Sequence, residues 1–109
     1  MNTLIIGTKK FPTVLAITPM EQARGLMYVK ANPPIMSFVY HKPELNKIWM
    51  KNTFIPLDVL FCRAGKIVLI SRGEPHSEEL FGPDFPTDLV VEMLGGSVEL
   101  YDIAVGNDV

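Results

Sequence analysis

Apolar positions along this chain come in short bursts separated by glycine, proline and polar clusters. That rhythm belongs to strands, not long helices. Residues 3–6 and 13–17 read as strands, with a basic turn over 7–12 between them; the second is rich in β-branched residues. A helix start follows. Thr18 is placed to cap it, Pro19 takes the first helical position and Glu21 completes a capping box. Gly25 stops the helix after Arg24, which falls where the helix dipole favours a cation. Met20, Ala23 and Met27 are expected to form its apolar stripe.

Residues 32–34 form a stiff Asn-Pro-Pro connector, 35–40 a third strand and 41–46 a polar loop. The segments 47–54 and 57–63 read as strand, kink, strand, because Pro56 donates no N–H and holds Ile55 extended. Residues 57–61 are almost continuously apolar, which predicts a strand covered on both faces. Ala64-Gly65 then turns the chain and 66–71 returns as a hairpin partner. The 73–86 stretch is a long loop, which implies that it covers something or moves. Residues 88–94 form another strand, with Glu92 inside it and Gly95-Gly96 breaking it. Residues 97–102 fit either one helical turn or a short strand, and Gly106-Asn107 is a turn. Many short strands with one or two short helices predict a mainly β barrel or sandwich.

Composition narrows the function classes. A chain of 109 residues is one domain, 1–109, able to bury a real core. Apolar residues at 48% and charged ones at 20% fit an ordered globular protein. A net charge of −2 with scattered basic residues argues against a nucleic-acid partner. No apolar run has the ~20 residues of a membrane span. Leu4-Ile5-Ile6 lacks the basic start and long apolar region of a signal peptide, so a cytoplasmic location is expected unless a leader precedes the chain. Cys62 is the single cysteine, and with two histidines it makes no zinc cage; no metal or cofactor is expected. Cys62 reads as an inert buried thiol, His41 and His76 as solvated loop residues, and the methionines as core filler.

The most unusual chemistry lies between Trp49 and Asp58. A tryptophan, the polar triplet Lys51-Asn52-Thr53 and an acid surround the Pro56 kink. Asp58 at the mouth of a buried strand needs partners, and the triplet carries donors. Trp49 either plugs the core or offers its ring to a ligand. Arg24 either recognises an anion or pairs with an internal acid such as Asp58 or Glu92.

Several pieces together resemble the DUF192 family, small bacterial and archaeal proteins of unknown function. They are Ala23-Arg24-Gly25-Leu26-Met27, Trp49-Met50-Lys51-Asn52-Thr53 and Ile55-Pro56-Leu57-Asp58-Val59-Leu60-Phe61, then Val91-Glu92 before Gly95-Gly96, and Gly106 followed by Asp108-Val109. The resemblance implies a compact, mainly β fold like a jelly-roll sandwich. It implies no established activity, cofactor or catalytic residue.

The residues therefore support a leading expectation and two others. The first is a non-enzymatic binding module for a small polar ligand, an extended peptide or a glycan. Its site would be built from Trp49, Lys51, Asn52 and Asp58, with Arg24 near the rim. The second is a small hydrolase or lyase using Asp58 as general base, with Lys51 or Arg24 holding an anion. The third is an assembly role through an exposed edge strand, either 35–40 or the terminal segment.

Overall fold

The computed structural model describes residues 2–109. Six strands form one sheet: β1 (Asn2–Ile6), β2 (Lys9–Ala16), β3 (Met36–Glu44), β4 (Leu57–Arg63), β5 (Lys66–Gly73) and β6 (Thr87–Leu94). Two short helices, α1 (Pro19–Arg24) and α2 (Ser97–Leu100), complete the single domain. The sheet order is β1-β2-β3-β6-β4-β5. Among the described residues only β2 and β3 run parallel, joined by the crossover that holds α1, so the mainly β sheet is mixed and does not close into a barrel.

β4 and β6 lie at the centre, and side-chain alternation sends each of them into two cores. Leu60, Cys62, Val91 and Met93 face one core, roofed by Leu4, Ile6 and Phe11 of the β1–β2 hairpin and by Ile103. Leu57, Val59, Phe61 and Val90 face the other, roofed by Leu26 and Met50. The expected strand covered on both faces is therefore β4, whose residues before Arg63 are all buried. Each fully buried Phe or Leu here contributes ~1.5–3 kcal/mol.

Several local expectations are corrected. The turn before β2 is confined to Gly7 and Thr8 and β2 begins at Lys9, since every residue of β1 finds a partner between Lys9 and Thr13. β3 runs on through His41 to Glu44, because Glu44 still pairs with Thr87 of β6. Residues 47–54 are a loop with one isolated bridge, Ile48 to Phe81, and not a strand. Their backbone bonds go instead to the 74–86 loop: Met50 N–H to Ser77 O at 2.8 Å, His76 N–H to Thr53 O at 3.0 Å, and both bonds between Ile48 and Phe81 at 2.9 Å. The long loop is thus a cover, zipped to its neighbour. β3 is not an edge, lying between β2 and β6. The terminal segment is taken up along β5, with Asp108 bridging Lys66 and Val109 N–H donating to Gly65 O at 3.0 Å.

α1 keeps its predicted capping box, with Thr18 Oγ1 accepting from Glu21 N–H at 3.1 Å. Its apolar stripe does not exist: Met20 is 83% exposed and no residue of α1 is buried. Gln22 fastens the helix instead, donating to Ala16 O at 3.1 Å and to Val39 O at 3.0 Å. The first deeply buried side chain beyond the helix is Leu26.

Asp58 is 5% exposed and fully engaged. Its Oδ2 accepts from Gly96 N–H and Val98 N–H, each at 3.0 Å, which organises the first turn of α2. Arg72 Nε–H donates to Oδ1 at 3.1 Å. Residues 97–100 are therefore helical, because a buried carboxylate collects their free N–H groups. Asp58→Ala leaves those donors without an acceptor and is expected to cost ~1–3 kcal/mol of stability in urea unfolding. A loss near zero would show that the carboxylate is replaceable by water.

Candidate functional site

The site begins with an alternation. Asp58 pairs with Met93 and Val59 with Glu92 across the β4–β6 ladder. Asp58 therefore faces the core shared with Met93, while Glu92 faces the opposite core, beside Val90 and Val59. The two acids lie on different sides of the sheet. On the Glu92 side, a cavity of about 380 Å³ opens between the α1–Leu26 segment and the 47–53 loop. Glu92 forms part of its floor with Phe38; Arg24, Trp49 and Leu80 line it higher up.

Glu92 is only 4% exposed. Among the described residues no donor reaches its carboxylate and no cation pairs with it. It is nevertheless not sealed in, since among the described residues no fully buried side-chain oxygen lacks a partner. Its remaining exposure is to the cavity. Burial pushes its pKa up to about 7. An unpaired carboxylate in such a place costs several kcal/mol when ionised, more than one hydrogen bond returns. Gly25 lies against it at φ +51°, a backbone that calls for glycine; a Cβ there would make only ordinary contacts, 3.6 Å from Glu92 Oε1 and 3.4 Å from the Phe38 ring. Tyr40, on β3, feels the Glu92 charge; burial first, then Glu92 and Glu44, push its hydroxyl up to about 12.

Of the residues singled out from sequence, Trp49 and Arg24 line the cavity. Trp49 is 40% exposed, so its ring is a wall and not a core plug. Lys51 lies over that ring, its Nζ 5.1 Å from the centroid. Arg24 pairs with neither Asp58 nor Glu92; its guanidinium stands 6.0 Å from the centre of the Tyr28 ring. Lys47 at the rim is already held, by Asp84 Oδ1 at 2.8 Å and Gly82 O at 2.7 Å. Asn52 lies outside the lining, and its amide donates to Tyr28 Oη at 3.0 Å while Tyr28 N–H donates to Asn52 O at 2.9 Å. Asp58 lies across the sheet. Its oxygens are occupied and buried, which leaves it no lone pair directed at a substrate.

Three non-glycine residues with positive φ meet beside this mouth: Tyr28 at 68°, Asn52 at 55° and His76 at 67°. Such backbone is sparsely populated for a bulky residue and persists only where its surroundings enforce it. Phe54 locks the group, edge-on to Tyr28 at 6.1 Å and tilted against His76 at 5.2 Å. The polar triplet is thus a clamp that fixes the Trp49 wall against the segment after α1. Sequence reasoning placed Glu92 in a strand without assigning it to the site. The usable signal was its spacing from Val90: two residues apart on a strand, they share a face.

The DUF192 family (Uncharacterized ACR) matches residues 3–109. Among solved structures, the chain is similar to a protein of unknown function from Novosphingobium aromaticivorans DSM 12444. The two are 32% identical with a TM-score of 0.85, covering 91% of this chain and 74% of that one. It is also similar to a protein from Sinorhizobium meliloti 1021 described as a "putative transcription regulator", at 32% identity and a TM-score of 0.87, covering 92% of this chain and 81% of that one. No curated protein matches the chain.

The position of Glu92 makes stability depend on pH. The native state holds this proton more tightly than the unfolded chain, whose carboxyl titrates near 4.5. Its contribution is complete below about pH 4.5 and is lost as pH rises to about 7, a fall of about 3 kcal/mol. Glu92→Gln, which cannot ionise, is expected to match the wild type in acid and exceed it by about that amount at pH 8. Parallel urea-unfolding curves for the two proteins across this range would contradict the assignment.

Proposed function

We propose that this chain, which belongs to the DUF192 family, is a non-enzymatic binding module for a small polar ligand, held in the cavity between the α1–Leu26 segment and the 47–53 loop. The observation that carries the reading is the Glu92 carboxyl, buried without a partner and directed into a cavity. A fold that merely needed a full core would place an apolar side chain there. The rest of the lining has the character of a small-molecule site: Leu26, Phe38, Ile48 and Trp49 supply apolar walls, and few polar groups converge on them. Its volume is at the lower end of the ~300–1,000 Å³ common for such sites, which favours a compact molecule over an extended glycan.

The reading keeps the binding role expected from sequence and relocates it. Trp49 and Arg24 stay as contact residues, Glu92 joins them, and Lys51 and Asn52 act by fixing the wall. Asp58 is left to stability. Transcription regulation, named for the Sinorhizobium relative, is compatible with a small-molecule sensor, although a net charge of −2 does not favour direct nucleic-acid contact.

Trp49 is the only tryptophan, so its fluorescence reports the cavity wall directly. Titration against panels of metabolites, short peptides and sugars is expected to give a saturable change with at least one compact polar compound. Glu92→Leu should weaken that response at least ~10-fold, the ~1.4 kcal/mol of one charge-assisted hydrogen bond. A spectrum unchanged by every compound would count decisively against the proposal.

A further inference from the structure

Two opposite charges line the cavity without a protein partner among the described residues: Glu92, buried at the floor, and Arg24, exposed to solvent at the rim. Glu92 has no donor. Arg24 has no carboxylate partner among the described residues, only the face of Tyr28. The other lining cation, Lys47, is neutralised by Asp84. The floor therefore asks for a donor, preferably a cation, and the Arg24 side asks for an anion. Between them the walls are apolar.

Resting on the binding reading above, we propose that the cavity takes a small zwitterion, a free amino acid or dipeptide with an apolar side chain. Its ammonium group meets Glu92, its carboxylate meets Arg24, and its side chain lies along Phe38, Ile48 and Trp49. Each charge of such a ligand finds a protein charge that is otherwise unmatched, and both are reached from one cavity. The ammonium returns to Glu92 what burial took away, a charge-assisted hydrogen bond in a site of low dielectric. Arg24 is the suitable second anchor because its planar fork holds a carboxylate by two bonds. A quaternary ammonium satisfies only half of the floor, since it brings charge without an N–H.

Binding is also coupled to protons. The ammonium prefers the ionised carboxylate, which predominates only above about pH 7 in the empty protein. The charged or titratable groups around Glu92 are Tyr40 from β3, Arg24 from α1 and Lys47 from the 47–53 loop. Its ladder partners Met36 and Val59 are uncharged. Tyr40, whose hydroxyl is pushed up to about 12, stays neutral at neutral pH, so the change in affinity belongs to Glu92.

Calorimetric titration of the full chain with leucine, leucyl-glycine, N-acetylleucine, leucinamide and N-acetylleucinamide tests the proposal. Leucine or leucyl-glycine is expected to bind at least ~10-fold more tightly than N-acetylleucine, which lacks the ammonium, or leucinamide, which lacks the carboxylate. The tighter of the first two distinguishes a free amino acid from a dipeptide. E92Q should abolish the preference for a free amine, R24Q the preference for a free carboxylate, and each should leave the other preference intact. Affinity for leucine, whose ammonium persists throughout this range, should rise from about pH 5.5 to about 8 in the wild type and stay level in E92Q. If the blocked compounds bind as well as leucine, the zwitterion is wrong and the cavity remains a binding site. If none of the five binds, the zwitterion is equally wrong, and the Trp49 panel decides the broader reading independently.

Discussion

β4 and β6 have protein on both faces, and this governs what their side chains are permitted to be. A polar group on either strand must find partners inside the fold, because solvent does not supply them. Asp58 meets that condition three times over, with two backbone N–H groups and Arg72. Glu92, one strand away on the opposite face, meets it not at all. The contrast separates a structural acid from a candidate functional one without appeal to their neighbours in sequence. One carboxylate completes α2; the other leaves a destabilised charge facing an opening.

The surroundings of that opening are organised to keep it open. Gly25 carries the chain past the floor at a φ of +51°, one that side chains rarely adopt. The 47–53 and 74–86 loops are laced together by backbone bonds, so the Trp49 wall rests on a braced platform. Tyr28, Asn52 and His76 hold strained backbone there, and each such residue costs of order 1–3 kcal/mol. Positive-φ residues also occur at Asn32, Ala64 and Asp102, but only beside this opening do three of them meet, next to a buried carboxylate without a partner. Sites that receive a ligand are where such departures from local consistency are expected.

Much of the framework was legible in the sequence, for reasons that are local. The capping box at Thr18 and Glu21, the Ala64-Gly65 hairpin and the two-sided burial of β4 follow from capping, turn chemistry and hydrophobic pattern. The long-range parts were not legible. The parallel β2–β3 pair requires knowing how a crossover closes. The partner of Asp58 is Arg72 only because a register shift at Phe61 and Cys62 moves the hairpin pairing by one residue. The Trp49-to-Asp58 stretch is unusual in sequence, but residues close along it are not all close in space. Alternation on β4 sends Asp58 away from the face that Trp49 walls, and only the sheet order brings Glu92 to it.

The Glu92 carboxyl, buried, unpartnered among the described residues and open to the cavity, is what makes this place a candidate site. The direct measurement is its own titration, followed by carbon-detected NMR of the side-chain carboxyl in the ligand-free protein. A midpoint near 7, moved downward when an amine-bearing ligand binds, is the predicted result. A midpoint near the ordinary 4.5 would mean that water or a protein donor already satisfies the group, and the cavity would lose the feature that makes it a site.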